Sequence, residues 1–133
     1  MPLLLDDAAV YFEKYHKFPG TLSKFVSEGL GFEGIKRLID TDDRAYFLLY
    51  MVYIDAPDSM HVFEGRCDGK LINPATFSGH PHLPYDVFFI PNGSEITYAE
   101  MHKSFDRYAT SFYRIKALQK FLAWYQQRNS CAL

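Results

Sequence analysis

Two adjacent carboxylates, Asp6 and Asp7, follow the apolar run Leu3-Leu4-Leu5 and are the first groups along the chain able to do chemistry. At the carboxyl end of a strand, such a pair can hold a hard cation such as Mg2+ and orient a water against a phosphate. At the start of a helix, the same pair would only complement the positive end of the helix dipole. Both readings stand at this point. His80 and His82, with Asp86 close behind, resemble the start of a metal site, but without a third spaced ligand they read more readily as solvent-facing loop residues. The chain carries no Ser-His-Asp order, no cysteine in a nucleophile context and no Gly-rich phosphate loop. Cys67 and Cys131 form neither a spaced metal pattern nor a disulfide framework, which suits a reducing, intracellular setting.

The elements that would position these groups are legible in outline. Pro2 to Leu5 reads as a buried strand ending in the two acids, and Ala8 to Lys17 as a helix or a turn. Phe18-Pro19-Gly20 breaks the chain. Thr21 or Ser23 then caps a helix bearing Leu22, Phe25, Val26 and Leu30 on one side, stopped by Gly29 and Gly31, with a second short helix from about Phe32 to Ile39. Arg44 to Asp55 is apolar throughout and aromatic-rich, which predicts a central strand covered on both faces. Met60 to Arg66 returns as its partner after the Ala56-Pro57-Asp58-Ser59 turn, and Asp68-Gly69 marks a tight turn or bulge before Lys70 to Ile72. The product is an antiparallel meander.

Asn73 to Pro84 is a long Pro/Gly/His-rich loop, and loops of that kind tend to carry function. Val87 to Ile90 is the last strand, closed by Pro91-Asn92-Gly93. Glu100 reads as a capping or pairing residue. From Lys103 to Gln127, Phe105, Tyr108, Ala109, Phe112, Ile115, Leu118, Phe121, Leu122 and Tyr125 trace one stripe of a closing helix.

The 133 residues suit one domain spanning 1–133, with no repeat, low-complexity tract or linker. Fourteen basic and 16 acidic residues are interleaved for a net charge of -2, so no broad positive surface is available to a nucleic-acid backbone. Polymeric DNA or RNA is excluded as a partner. The apolar run before Asp6 is too short for a signal or membrane segment, and the expectation is a soluble, cytoplasmic protein.

The segment Tyr85 to Ser94, running on into Thr97-Tyr98-Ala99-Glu100-Met101, together with Phe18-Pro19-Gly20 and Phe63-Glu64-Gly65-Arg66, resembles the inosine triphosphate pyrophosphatase family. The resemblance spans nearly the whole chain. It implies an α/β fold, a mixed sheet with flanking helices and a cleft between lobes, and usually a homodimer. It also implies a hydrolase that uses Mg2+ to cleave non-standard purine nucleoside triphosphates (ITP, dITP and XTP) to monophosphate and pyrophosphate.

Carried over position by position, the resemblance makes Asp7 the catalytic residue, Asp6 and Asp7 the metal ligands, and Lys24, Tyr85, Asp86 and Arg114 the substrate-binding set. Lys24 would contact phosphate; Tyr85 would stack on the purine; Asp86 would contact base or ribose. Arg114 would close the base pocket from Ser111-Phe112-Tyr113-Arg114, with Arg107 or Tyr108 near a family lysine. The pattern departs at several positions: Ala8 replaces a hydroxyl residue, Leu83, Pro84 and Val87 replace an aromatic, a glycine and a proline, and the triplet's histidine is absent. Complete members begin with a phosphate-binding Ser/Thr-Gly-Asn segment and a metal-binding Glu ahead of the residue matching Met1, so the resemblance implies an N-terminally truncated version. Two functions follow. One is hydrolysis, weak or completed by another chain. The other is a non-catalytic descendant that binds a nucleotide or a protein, with a second copy or a partner chain covering the truncated side.

Overall fold

The computed structural model describes residues 1–104 and 113–131. Strands β1 (Leu3–Phe12), β2 (Phe18–Gly20), β3 (Arg44–Ala56), β4 (Ser59–Leu71) and β5 (Phe89–Pro91) form one sheet in the order β2-β1-β3-β4-β5, with antiparallel ladders. Helices α1 (Ser23–Lys36), α2 (Tyr98–Ser104) and α3 (Tyr113–Cys131) accompany it, with a 3-10 turn at Asp86–Phe88. The expected α/β class is present, and β3 and β4 form the expected antiparallel pair, whereas Lys70 and Leu71, expected in a third strand, belong to β4 and pair there with β5.

Long-range pairing corrects the reading of the first twelve residues. β1 does not end at the acids but continues through Asp6 and Asp7 to Phe12, paired with β3 from Leu3 opposite Ile54 to Phe12 opposite Ala45. A full-length partner strand outweighs the mixed helical spacing of Ala8 to Lys17. The break at Phe18-Pro19-Gly20 is itself the short edge strand β2, paired with Val10 to Phe12, a place where a proline is tolerated. β4 runs unbroken through Asp68-Gly69, and the irregularity falls instead at the β3-β4 hairpin, between Ile54 and Ala56. Asp86 to Phe88 turn as 3-10 backbone before β5 starts at Phe89.

The two expected helices after Thr21 are the halves of α1, bent where Gly31 adopts φ 66 and ψ -177; the second half stops at Lys36 rather than Ile39. Lys103 belongs to α2, which opens with a reciprocal cap: Glu100 N–H donates to Thr97 Oγ1 at 3.1 Å, and Thr97 N–H to Glu100 Oε1 at 3.2 Å. The expected closing helix is found as α3; its expected positions Phe105, Tyr108, Ala109 and Phe112 lie outside the described residues, as do Arg107 and Ser111.

β3 corrects a further expectation. Ala45, Phe47, Leu49, Met51 and Tyr53 are buried, whereas the alternate residues Tyr46, Leu48, Tyr50, Val52 and Ile54 are not. An unbroken apolar run does not distinguish two covered faces from one. Here α3 covers one face. Tyr113 stacks on Phe47 at 4.9 Å between ring centroids, and Phe121 and Trp124 pack on Tyr53 and Phe63. Gly65 permits this approach, since a Cβ there would stand 1.8 Å from the Tyr113 carbonyl oxygen.

On the opposite face, register aligns Leu3, Leu5, Val52, Ile54, Met60 and Val62, of which Leu3, Leu5, Met60 and Val62 are exposed. α3 packs on the other face of the sheet. The apolar rank ends in a ladder in which Tyr11 stacks on Tyr46 at 4.8 Å and the Arg66 guanidinium lies 3.7 Å from the Tyr46 ring centroid. Among the described residues, no helix is long and apolar enough to cross a membrane.

Candidate functional site

Where β1 runs on beyond β2, its edge opens into a cleft of about 450 Å³ bounded by α1, the loop before the 3-10 turn, and the start of α3. Asp7, Lys24, Tyr85, Asp86 and Arg114 all line it, brought from four separate stretches of the chain. Asp6 does not. Consecutive strand residues project to opposite sides of a sheet. Register puts Asp6 opposite the buried Met51, on the face α3 covers, and Asp7 opposite the exposed Tyr50. The two carboxylates therefore diverge, and Asp6 Oδ2 accepts a hydrogen bond from Arg114 Nε at 3.0 Å.

Lys24 is fixed by its buried neighbour. Ser23 Oγ accepts from the Val10 N–H at 3.1 Å and donates to the Gly20 carbonyl at 2.6 Å, tying the start of α1 to β1 and β2. The opposite wall is tied to the same residue. Tyr85 donates its hydroxyl to the Ser23 carbonyl at 2.6 Å and sets its ring edge-on to Phe12. Burial pushes that phenol well above its ordinary range, so it stays a neutral donor.

Asp86 is the buried charge of the cleft. It borders both this cleft and a second cavity of about 270 Å³ lined by Gly79, His80, Leu83, Ala99, His102 and Lys103. His102 Nε2 lies 3.0 Å from Asp86 Oδ2. Burial pushes the Asp86 carboxyl up to about 6, with the charge and hydrogen bond of His102 and the charge of Arg114 pulling the other way. Burial also pushes the Tyr113 hydroxyl up to about 12.

The cleft thus brings two cations, Lys24 and Arg114, together with Glu28 and Asp86, while Asp7 borders it from β1 with its side chain on the strand face away from α3. Such a mixture can neutralise an anionic group at one point and accept hydrogen bonds at another. His80 and His82 are exposed, their rings 5.3 Å apart, and among the described residues no group of three His, Cys, Asp or Glu side chains is placed to hold a metal. His102 and Glu28 escaped the sequence reading. His102 stands 16 positions from Asp86 and meets it only because α2 packs beside the 3-10 turn, for which no local pattern exists.

The description "Ham1 family" belongs to the family model that matches residues 1–124. The chain is 32% identical over 128 residues to the dITP/XTP pyrophosphatase of Thermococcus kodakarensis, covering 95% of this chain and 66% of that one. It is 35% identical over 126 residues to the dITP/XTP pyrophosphatase of Pyrococcus horikoshii, covering 92% and 64%. The chain therefore spans slightly under two thirds of these relatives' length. Among solved structures, the Staphylococcus aureus Ham1 protein superposes with a TM-score of 0.76 over 96% of this chain and 68% of that chain at 20% identity, a likeness of fold.

Proposed function

The chain belongs to the Ham1 family, and from that membership we propose that its cleft binds non-standard purine nucleoside triphosphates such as dITP and XTP and hydrolyses them to monophosphate and pyrophosphate. The observation that carries this reading is the convergence of Asp7, Lys24, Tyr85, Asp86 and Arg114 on one cleft from positions up to 107 apart in sequence, counting from Asp7 to Arg114.

In this reading, Lys24 neutralises phosphate charge, a large part of phosphoryl-transfer catalysis, and Arg114 closes the base pocket beside Asp86. Asp86 meets the base, beside the wall formed by Tyr85. The donor chemistry of Asp7 fits Mg2+, which is commonly held by one or two carboxylates plus substrate phosphates. Asp7 would hold the ion and Asp6, engaged by Arg114, would steady the neighbouring backbone. When bound, the ion supplies Lewis-acid polarisation of the phosphate oxygens and a more acidic water.

A homodimer in the cytoplasm is part of the same proposal, with a second copy covering the exposed rank of Leu3, Leu5, Met60 and Val62, since apolar patches of this kind mark association surfaces. The deciding measurement is pyrophosphate release from dITP and XTP with Mg2+, comparing wild type with Asp7→Asn. Release by the wild type and its loss in the variant are expected. Equal background release from both would remove hydrolysis and leave a nucleotide-binding descendant, for which a thermal shift with dITP is the remaining sign.

A further inference from the structure

Leu83 and Asp86 stand between the cleft and the second cavity and border both. Asp86 faces both spaces, and His102 approaches it from the rear one, on the side away from Asp7, Lys24 and Arg114. The Asp86 side chain is 7% exposed and that of His102 46%. We propose that His102 is a positioning residue, fixing from behind the orientation and ionisation of the Asp86 carboxyl, and thereby setting which hydrogen-bonding edge of a purine the cleft accepts. This rests on the purine nucleotide reading above.

The chemistry follows from what a carboxyl can do in each state. Ionised, it only accepts hydrogen bonds; protonated, it also donates. A 6-keto purine presents an N1–H donor, which suits the ionised form, whereas a 6-amino purine presents a bare N1 acceptor, which suits the protonated one. Burial alone drives Asp86 toward the protonated form, and His102 is the stronger of the two counterweights. Among the described residues, the other titratable groups around Asp86 are Tyr98 and Lys103 on α2, Tyr113 and Arg114 on α3, and His80 and His82 on the loop. Of these, Arg114 acts on Asp86 in the same direction as His102, and its Nε is committed to Asp6.

The test compares wild type, His102→Ala and His102→Gln, each checked for folding by circular dichroism. The Asp86 carboxyl is followed by 13C NMR from pH 5 to 8, and inosine 5′-monophosphate and adenosine 5′-monophosphate are titrated calorimetrically over the same range. The expected result is an Asp86 midpoint that moves upward in His102→Ala and inosine monophosphate affinity that falls about tenfold at neutral pH, the size expected for one misplaced buried hydrogen bond. The preference over adenosine monophosphate should shrink with it, and His102→Gln, which keeps a donor, should recover part of the affinity. An Asp86 midpoint unchanged by His102→Ala overturns the proposal. So does a shifted midpoint with affinities for both nucleotides unaltered at every pH. If wild type binds neither nucleotide while the midpoint still shifts, the purine reading has failed and the proposal falls with it, a pattern separate from the other two.

Discussion

Arg114 Nε lies 3.0 Å from Asp6 Oδ2, linking the first turn of α3 to β1 across 108 positions of sequence. Both side chains are partly exposed, at 52% and 39%, so screening by water limits what the bridge adds to stability. Its importance is geometric, because it orients a cation at the cleft beside the strand that carries Asp7.

Asp6→Asn should therefore lower unfolding free energy by less than about 1 kcal/mol in urea titrations. Arg114→Ala should be as mild in stability yet reduce pyrophosphate release at least about tenfold, since it removes the cation that the proposed function places at the base pocket. Equal losses of activity in the two variants would mean that the bridge, rather than the free face of the guanidinium, is what matters.

Gly65→Ala should destabilise the fold by about 3 kcal/mol or more, because the added methyl meets the Tyr113 carbonyl and the helix must lift from the sheet. Displacement of Tyr113 and Arg114 should also weaken nucleotide binding. Denaturation midpoints within error of wild type would contradict the close packing of α3 on β4.

The pH dependence of stability has two windows of opposite sign. Burial raises the folded Asp86 value to about 6, above its unfolded value near 4, so the unfolded chain gives up that proton first and stability from this group declines as pH rises between them. Arg66 holds Asp68 below the usual carboxylate range, as Ser59 and Arg128 do Asp55. Their contributions are present above about pH 4 and are lost as pH falls through the depressed folded values. Urea unfolding across both windows should show a shallower decline between about pH 4 and 6 in Asp86→Asn than in wild type. Identical slopes would refute the assignment to Asp86.

Val62→Lys places a charge in the middle of the exposed apolar rank on β4. Sedimentation should show the dimer of the wild type giving way to monomer, with the melting temperature of the monomer little altered because the site is already solvent-facing. A monomeric wild type at all concentrations would end the dimer proposal.

The chain's own pattern disclosed the strongest elements for identifiable reasons, whereas Asp7, Lys24, Tyr85, Asp86 and Arg114, which line the cleft, came from the family resemblance. The run from Arg44 to Asp55 announces a strand whatever covers it, and Glu100 following Thr97 by three positions is a local cap that forms as expected. What stayed hidden depends on partners distant in sequence. β1 passes through Asp6 and Asp7 because β3 lies beside it, the outer face of β3 is bare because α3 packs on only one side, and His102 meets Asp86 because α2 packs against the 3-10 turn. Asp6 and Asp7 look equivalent in sequence, and the register sends them to opposite faces, Asp6 toward α3 and Arg114, Asp7 toward the side of Tyr50.

The hydroxyl of Tyr85 and the backbone oxygen of Ser23 form a clasp between opposite banks of the cleft. A slot held at fixed gauge before its occupant arrives spends little of the binding free energy on rearrangement. Spreading the two banks would break that hydrogen bond and uncover the buried Tyr85 ring.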